Sequence, residues 1–128
     1  MSAPERVAMI VEDDDVIRGL LATIVEDAGF IAVTVDTLPR ARALLRELRP
    51  DILILDLYLR GEHASELLDE LALADDAPST MIVSASRTAS KTAATFGLEY
   101  LPKPFELDQL DACLSRALED NRRPLRAA

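Results

Sequence analysis

Residues 7–15 read Val-Ala-Met-Ile-Val-Glu-Asp-Asp-Asp, five apolar side chains that run directly into four carboxylates. An apolar run of this length without polar alternation is typical of a strand that is buried on both faces. Four adjacent carboxylates repel one another, so their place at the end of such a strand needs an explanation. The stretch therefore predicts a buried first strand at residues 7–11, with a charged site directly after it.

The alternation of strand and helix patterns continues along the chain. Apolar or β-branched runs predict four more strands, at residues 31–35, 52–55, 80–83 and 99–101. Apolar residues at helical spacing predict a first helix that begins near Asp15, its possible cap, and ends at Gly29. The same spacing predicts four more helices, at residues 38–48, 64–74, 89–96 and 107–118. Strict alternation predicts an α/β fold, with helices on both faces of a parallel five-stranded sheet.

Composition limits the function classes that fit the chain. It has 128 residues, the usual size of one domain, and a formal net charge of −9, which disfavours direct nucleic-acid binding. One cysteine cannot form an internal disulfide, and no apolar run is long enough to cross a membrane. The first residues also lack the pattern of a signal peptide, so we expect a cytoplasmic location. We expect a folded domain at residues 1–120 and, at residues 121–128, a flexible tail or the start of a linker.

Polar residues that follow the predicted strands carry the chemistry. Glu12 and Asp13 follow the first strand, Asp56 the third, Ser84 the fourth and Lys103 the fifth. Because parallel sheets bind ligands beyond the carboxyl ends of their strands, we expect these side chains to converge on one edge. Clustered carboxylates suit Mg²⁺, and one of them can attack a phosphoryl group that a hydroxyl and an ammonium hold. The sequence therefore predicts a metal-dependent phosphoryl site.

Four motifs give the chain a resemblance to a known family. They are Met-Ile-Val-Glu-Asp-Asp at 9–14, Pro-Asp-Ile-Leu-Ile-Leu-Asp at 50–56, Ile-Val-Ser-Ala at 82–85 and Tyr-Leu-Pro-Lys-Pro-Phe at 100–105. Each motif alone is weak, but in this order and at near-family spacing they resemble the receiver domain of two-component response regulators. The resemblance covers about residues 6–120. It implies a flavodoxin-like (βα)5 three-layer sandwich with strand order 2-1-3-4-5.

The resemblance implies roles for the residues at the strand ends. Asp56 would accept a phosphoryl group from a histidine kinase or a histidine phosphotransfer protein. Asp13 and Asp56 would bind Mg²⁺ together with the backbone carbonyl of Tyr58, and Glu12 would act on the metal through water. Such a receiver is not an enzyme for other substrates, because it catalyses only its own phosphorylation and dephosphorylation.

The resemblance also implies how a signal leaves the site. Ser84 would hydrogen-bond the phosphoryl group, Lys103 would pair with it, and Ser84 and Tyr100 would be the moving parts of a switch. Pro104 matches a cis-proline of the family. The switched surface would bind a downstream effector protein or an output domain outside this chain, and it could also support a homodimer.

The chain departs from the family pattern after the predicted phosphoacceptor. Arg60 stands where the family usually has proline, and Ala64 where it usually has glycine. We therefore expect residues 57–65 to follow a different path, in which Arg60 and Glu62 alter access to the site. The segment between the fourth and fifth strands is also shorter than usual by about one helical turn, which shortens the fourth helix.

Two other functional hypotheses remain open at this point. One is a degenerate receiver that serves as a phosphorylation-independent protein-binding module, motivated by Arg60 and Ala64. The other is a Mg²⁺-dependent phosphatase that resembles the haloacid dehalogenases. It ranks last, because Tyr58 stands where such an enzyme needs a second aspartate.

Five residues have structural interpretations. Asp14 and Asp15 are interpreted as solvated turn and cap residues, and His63 as a surface or capping residue. Cys113 is interpreted as a small packed side chain of the last helix. For Tyr100 the alternative to a switch role is an edge-strand aromatic packed on the fifth helix.

Overall fold

Five parallel strands form the central sheet, as the apolar runs predict. The computed structural model describes residues 5–119. The strands are β1 (Arg6–Val11), β2 (Phe30–Val35), β3 (Ile52–Leu55), β4 (Ser79–Ser84) and β5 (Glu99–Pro102). Their order in the sheet is β2-β1-β3-β4-β5, which confirms the predicted topology. No strand end differs from its predicted position by more than one residue.

Five helices connect the strands or follow the last one. They are α1 (Asp15–Asp27), α2 (Leu38–Leu48), α3 (Ser65–Leu73), α4 (Ala89–Phe96) and α5 (Leu107–Glu119). Helix α4 has eight residues and ends at Gly97, whose φ of 71° is the left-handed conformation that glycine adopts most readily. No helix within the described residues is both long enough and apolar enough to span a membrane. The predicted tail at residues 121–128 lies outside the described residues.

The cap of α1 is Asp14, so the prediction that Asp15 caps this helix is wrong. The Asp14 side chain accepts hydrogen bonds from the backbone N–H groups of Val16 and Ile17, at 2.9 and 3.0 Å. Asp14 has an extended backbone (φ −80°, ψ 117°), as a cap requires, whereas Asp15 is already the first helical residue. The solvated cap role that the sequence suggests is thus real but belongs one residue earlier.

The sheet separates two apolar clusters. In β3, Leu53 and Leu55 face the side covered by α2, α3 and α4, whereas Ile52 and Ile54 face the side covered by α1 and α5. All four side chains are at most 1% exposed, as expected for a central strand of a parallel sheet. Cys113 is 1% exposed within the second cluster, which confirms its interpretation as a packed side chain.

Tyr100 lies on the opposite face of the sheet from α5. It packs against the cluster of α2, α3 and α4, while its neighbour Leu101 packs on the α5 side. The alternative interpretation, in which Tyr100 packs on the fifth helix, is therefore wrong. The reason is the alternation of side chains along a strand, which sends neighbouring residues to opposite faces.

A short hairpin occupies the segment that departs from the family pattern. Tyr58–Leu59 pairs antiparallel with Glu62–His63, an element that the strict alternation of strands and helices did not predict. The two residues between them, Arg60 and Gly61, have positive φ angles of 52° and 82°. Positive φ at both central positions is the signature of a type I′ turn, whose twist matches that of a two-stranded hairpin.

Candidate functional site

The acidic residues after β1 and β3 come together at one edge of the sheet. Val11 is the register partner of both Val35 and Leu55, so the residues that follow these three strands stand side by side. Sheet-like hydrogen bonds continue past the strand ends, from Glu12 N–H to the Val35 carbonyl and from Asp56 N–H to the Val11 carbonyl, both at 3.0 Å. Carboxylate oxygens of Glu12, Asp13 and Asp56 lie within 4.8 Å of one another.

Lys103 reaches this cluster from the end of β5. Its ammonium donates to Glu12 Oε1 at 2.5 Å and to Asp56 Oδ2 at 3.0 Å. Burial alone would lower the pKa of Lys103, but the hydrogen bonds to the two carboxylates outweigh it and raise this pKa. The lysine is therefore charged, and it offsets part of the repulsion between Glu12 and Asp56.

Glu12 is the most buried carboxylate of the cluster. Its side chain is 2% exposed, and this burial raises its pKa to about 7. The hydrogen bond from Lys103 and one from the Asp14 N–H oppose the rise, and the nearby Asp56 charge adds to it. Lys103 therefore compensates the buried Glu12 charge only in part, and a bound cation would offset more of it.

Asp13 is held by the hairpin turn. Its Oδ2 accepts a hydrogen bond of 3.0 Å from the backbone N–H of Arg60, and this bond is the main reason for its lowered pKa. The Arg60 guanidinium points to another carboxylate, Asp36, which it contacts at 2.7 Å. Arg60 thus contacts the cluster through its backbone, and the expectation that Arg60 and Glu62 alter access to the site stays a prediction.

Asp36 was missed by the sequence analysis, although a signal for it exists. It directly follows β2, just as Glu12 follows β1 and Asp56 follows β3. The predicted site residues follow the other four strands, and none follows the second. The same rule, applied to all five strands, places Asp36 at the acidic edge.

Both carboxylate oxygens of Asp56 have hydrogen-bond donors. Oδ2 accepts a hydrogen bond from the Lys103 ammonium, and Oδ1 accepts one of 3.2 Å from the backbone N–H of Tyr58. Ser84 ends β4 and is 1% exposed; its Oγ accepts from the Ser86 N–H at 3.1 Å. The Lys103–Pro104 peptide bond is cis, as the resemblance implied.

Tyr100 and His63, two other residues that the sequence analysis singled out, have defined surroundings. Tyr100 is half-buried and pairs with Ile82 in the sheet, two positions before the Ser84–Pro102 pair. His63, interpreted as a surface or capping residue, accepts at Nδ1 from the Ser65 N–H at 3.0 Å at the start of α3, but the N-cap residue of that helix is Ala64. The His63 ring meets that of Tyr58 edge to face, with 4.6 Å between the centroids.

A model of the response regulator receiver domain matches residues 8–115 of the chain. The chain belongs to this family. The receiver is therefore a module of two-component signalling, in which receiver domains act as phosphoacceptors. This membership confirms the family that the four sequence motifs indicated and, for the function, a receiver domain of two-component signalling.

Curated relatives of the receiver are longer proteins. The nitrogen assimilation regulatory protein NtrX of Azorhizobium caulinodans is 34% identical, over 89% of this chain and 26% of its own length. PetR of Rhodobacter capsulatus is 33% identical, over 86% of this chain and 47% of its own length. The KDP operon transcriptional regulatory protein KdpE of Escherichia coli is also 33% identical, over 86% of this chain and 50% of its own length. The receiver thus spans half or less of the length of these relatives.

Solved structures share the fold of the receiver. The signal receiver domain of a LuxO repressor protein from Vibrio parahaemolyticus has a TM-score of 0.81 at 24% identity, over 93% of this chain and 94% of that one. The chemotaxis protein CheY4 of Vibrio cholerae has a TM-score of 0.78 at 21% identity, over 90% of this chain and 100% of that one. At this identity, these likenesses establish the flavodoxin-like architecture alone.

Proposed function

We propose that Asp56 accepts a phosphoryl group from a histidine kinase or a histidine phosphotransfer protein. The observation that carries this proposal is the position of Asp56 beside Lys103, with Glu12 and Asp13 in the same cluster. Attack by an Asp56 oxygen forms an O–P bond and breaks the P–N bond of a phosphohistidine whose other ring nitrogen carries a proton. The electron pair of the P–N bond stays on the ring, which leaves as neutral imidazole. The ammonium of Lys103, 3.0 Å from Oδ2, is placed to pair with a phosphoryl oxygen.

The residues at this edge fit a hard divalent cation. Three carboxylates offer oxygens within 4.8 Å of one another, and Lys103 contacts two of them, so negative charge remains to be offset. We assign Asp13, Asp56 and the backbone carbonyl of Tyr58 as direct Mg²⁺ ligands, with Glu12 acting through water. When bound, Mg²⁺ would neutralise charge on the phosphoryl group.

Ser84 and Tyr100 are the proposed switch. The Ser84 Oγ accepts a hydrogen bond from Ser86, so its own proton stays available to donate to a phosphoryl oxygen on Asp56. Tyr100 is half-buried at the boundary of the cluster near α4, where a change of rotamer would alter the surface. This surface would bind a downstream effector or an output domain.

The remaining expectations stay predictions. Self-catalysed phosphorylation and dephosphorylation would be the chemistry of this chain, without other substrates. We propose that residues 1–120 are the folded unit and that it makes no direct contact with nucleic acid, given the net charge of −9. The cytoplasmic location and the homodimer also stay predictions.

Intact-mass measurement tests the phosphoacceptor directly. The chain is incubated with acetyl phosphate and Mg²⁺, beside an Asp56→Asn variant and a sample in EDTA. We expect one added phosphoryl group in the native chain with Mg²⁺ and none in the other two samples. Equal phosphorylation of Asp56→Asn would exclude Asp56 as acceptor, and equal phosphorylation in EDTA would exclude the metal requirement. No phosphorylation of the native chain despite Mg²⁺ binding would favour the degenerate, binding-only receiver.

A further inference from the structure

Arg60 joins three segments that meet at the acidic edge. Its backbone N–H contacts Asp13, which follows β1, and its guanidinium contacts Asp36, which follows β2. Arg60 itself lies in the hairpin that follows β3. The two carboxylates therefore hold the turn from two directions, one by the main chain and one by the side chain.

The contact to Asp36 involves two atoms of the guanidinium group. NH2 donates to Asp36 Oδ2 at 2.7 Å, and Nε donates to the Asp36 carbonyl at 3.3 Å. Two bonds to one residue fix the direction of the side chain better than a single ion pair. They also hold the guanidinium on Asp36, so that its charge is not directed at Glu12 and Asp56.

The backbone of Arg60 is unusual. Its φ of 52° is positive, which among the described non-glycine residues is shared with Arg49. An L side chain disfavours this conformation, so the surrounding contacts must maintain it. The contacts of Arg60 with Asp13 and Asp36 supply that restraint, and Gly61 permits the second positive φ of the turn.

We give the name Arg60 clasp to the turn residues Arg60 and Gly61 together with Asp36, which holds the Arg60 side chain. We propose that the Arg60 clasp positions Asp13 as a metal ligand. The N–H bond holds Oδ2, so that the carboxylate is oriented before the metal arrives. The inference rests on the proposed metal site. Arg60 is a positioning residue, because it acts on the metal through Asp13, and loss of such a partner typically weakens metal binding by about 10–100-fold.

Three variants separate the parts of the clasp. Arg60→Pro removes the N–H that contacts Asp13 and forbids positive φ. Arg60→Asn keeps the N–H and forms an Asn-Gly pair, which type I′ turns favour, but it removes the guanidinium. Asp36→Ala removes the anchor and leaves the turn sequence intact.

The measurement is the Mg²⁺ dissociation constant from isothermal titration calorimetry at fixed ionic strength. We expect binding about 10-fold weaker in Arg60→Pro and about 3-fold weaker in both Arg60→Asn and Asp36→Ala. A long-range charge effect would instead act in opposite directions, with tighter binding in Arg60→Asn and weaker binding in Asp36→Ala. The melting temperature of Arg60→Asn in EDTA should stay near the native value, since its turn is preserved.

The outcomes distinguish this inference from the proposed function. Tighter or unchanged Mg²⁺ binding in Arg60→Asn would overturn the anchoring role, and native affinity in Arg60→Pro would overturn the positioning of Asp13. If Arg60→Pro does not fold, the other two variants decide the proposal. Absence of saturable Mg²⁺ binding in the native chain would overturn the proposed metal site, and the clasp with it.

Discussion

Lys103 carries much of the charge balance at the acidic edge. Its side chain is 14% exposed and contacts two carboxylates that are less exposed still. A buried charge that loses its partner is strongly destabilising, because neither water nor a counter-charge then solvates it. The stability of the apo receiver should therefore depend on this side chain more than on an exposed lysine.

Lys103→Met tests this dependence. We expect the free energy of unfolding in EDTA to fall by about 3 kcal/mol. Mg²⁺ should restore more stability to the variant than it adds to the native chain, because more negative charge is left for the cation to offset. Urea unfolding with and without Mg²⁺ measures both effects. Lys91→Met, at an exposed position on α4, is the matched control, and an equal loss in both variants would contradict the assignment.

Cys113 gives the receiver a predicted pH dependence at alkaline pH. Burial raises the pKa of this thiol from 9.0 to about 11, so the native state holds the proton more tightly than the unfolded chain. Its contribution is fully present below pH 9 and is lost as the pH rises toward 11. The two-unit difference corresponds to about 3 kcal/mol.

Cys113→Ala removes this contribution. We expect the free energy of unfolding of the native chain to fall more steeply between pH 9 and 11 than that of the variant. Urea unfolding across this range gives both curves, and the other alkaline groups cancel in their difference. Parallel curves would show that the thiol does not titrate differently in the native state.

The sequence predicted the site where position along a strand was sufficient. Glu12, Asp56 and Lys103 follow buried strands, and parallel topology alone brings them to one edge. The Asp13–Arg60 contact needs the turn angle of the hairpin, which no periodicity in the sequence encodes. The hydrogen bonds of Lys103 to both Glu12 and Asp56 could not be predicted from position alone, and its pairing with a phosphoryl group stays a prediction.

At the scale of elements, strands and long helices were predictable and the hairpin was not. Its two strands have two residues each, too short for a repeat in hydrophobicity to be recognised. Gly61 is the one local signal, since a glycine between two short runs indicates a tight turn. Helical spacing does not by itself ensure burial: Leu20, Leu48 and Leu107 lie at apolar positions of the predicted helices, but all are at least 40% exposed.

The N-terminus of α1 provides a direct test at this scale. Asp14→Ala should lower the free energy of unfolding by about 1 kcal/mol, because two backbone N–H groups lose their acceptor. Asp14→Asn keeps an acceptor oxygen and should stay near the native value, which separates capping from charge. In urea unfolding with EDTA, Asp15→Ala should lower the free energy of unfolding less than Asp14→Ala does. The reverse order would indicate that Asp15 is the cap.

At the scale of the whole molecule, alternation of strands and helices fixed the architecture before any side-chain detail. A parallel sheet needs a crossover between successive strands, and its helices cover both faces. Apolar residues at adjacent positions of β3 pack into different clusters. The strand order depended on family resemblance, because spacing alone does not place β1 between β2 and β3.

Truncations in the sheet should show this two-sided burial. The side chains of Leu53 and Ile54 point to opposite faces of the sheet. Leu53→Ala and Ile54→Ala should each lower the free energy of unfolding by about 3 kcal/mol. Ile31→Ala, on edge strand β2 at 44% exposure, should cost less than about 1 kcal/mol. Chemical denaturation measures all three variants. A small loss at either β3 position would mean that one face of the sheet is poorly covered.

The pairing of Glu12 with Lys103 has a consequence for the order of folding. These residues are 91 positions apart, so their contact forms only after β1, β3 and β5 lie in one sheet. The repulsion of Asp56 by Glu12 and Asp13 likewise develops only when β1 and β3 lie side by side, whereas Glu12 and Asp13 are neighbours along the chain throughout folding. A cation that recognises the completed edge would then slow unfolding and leave the folding rate nearly unchanged.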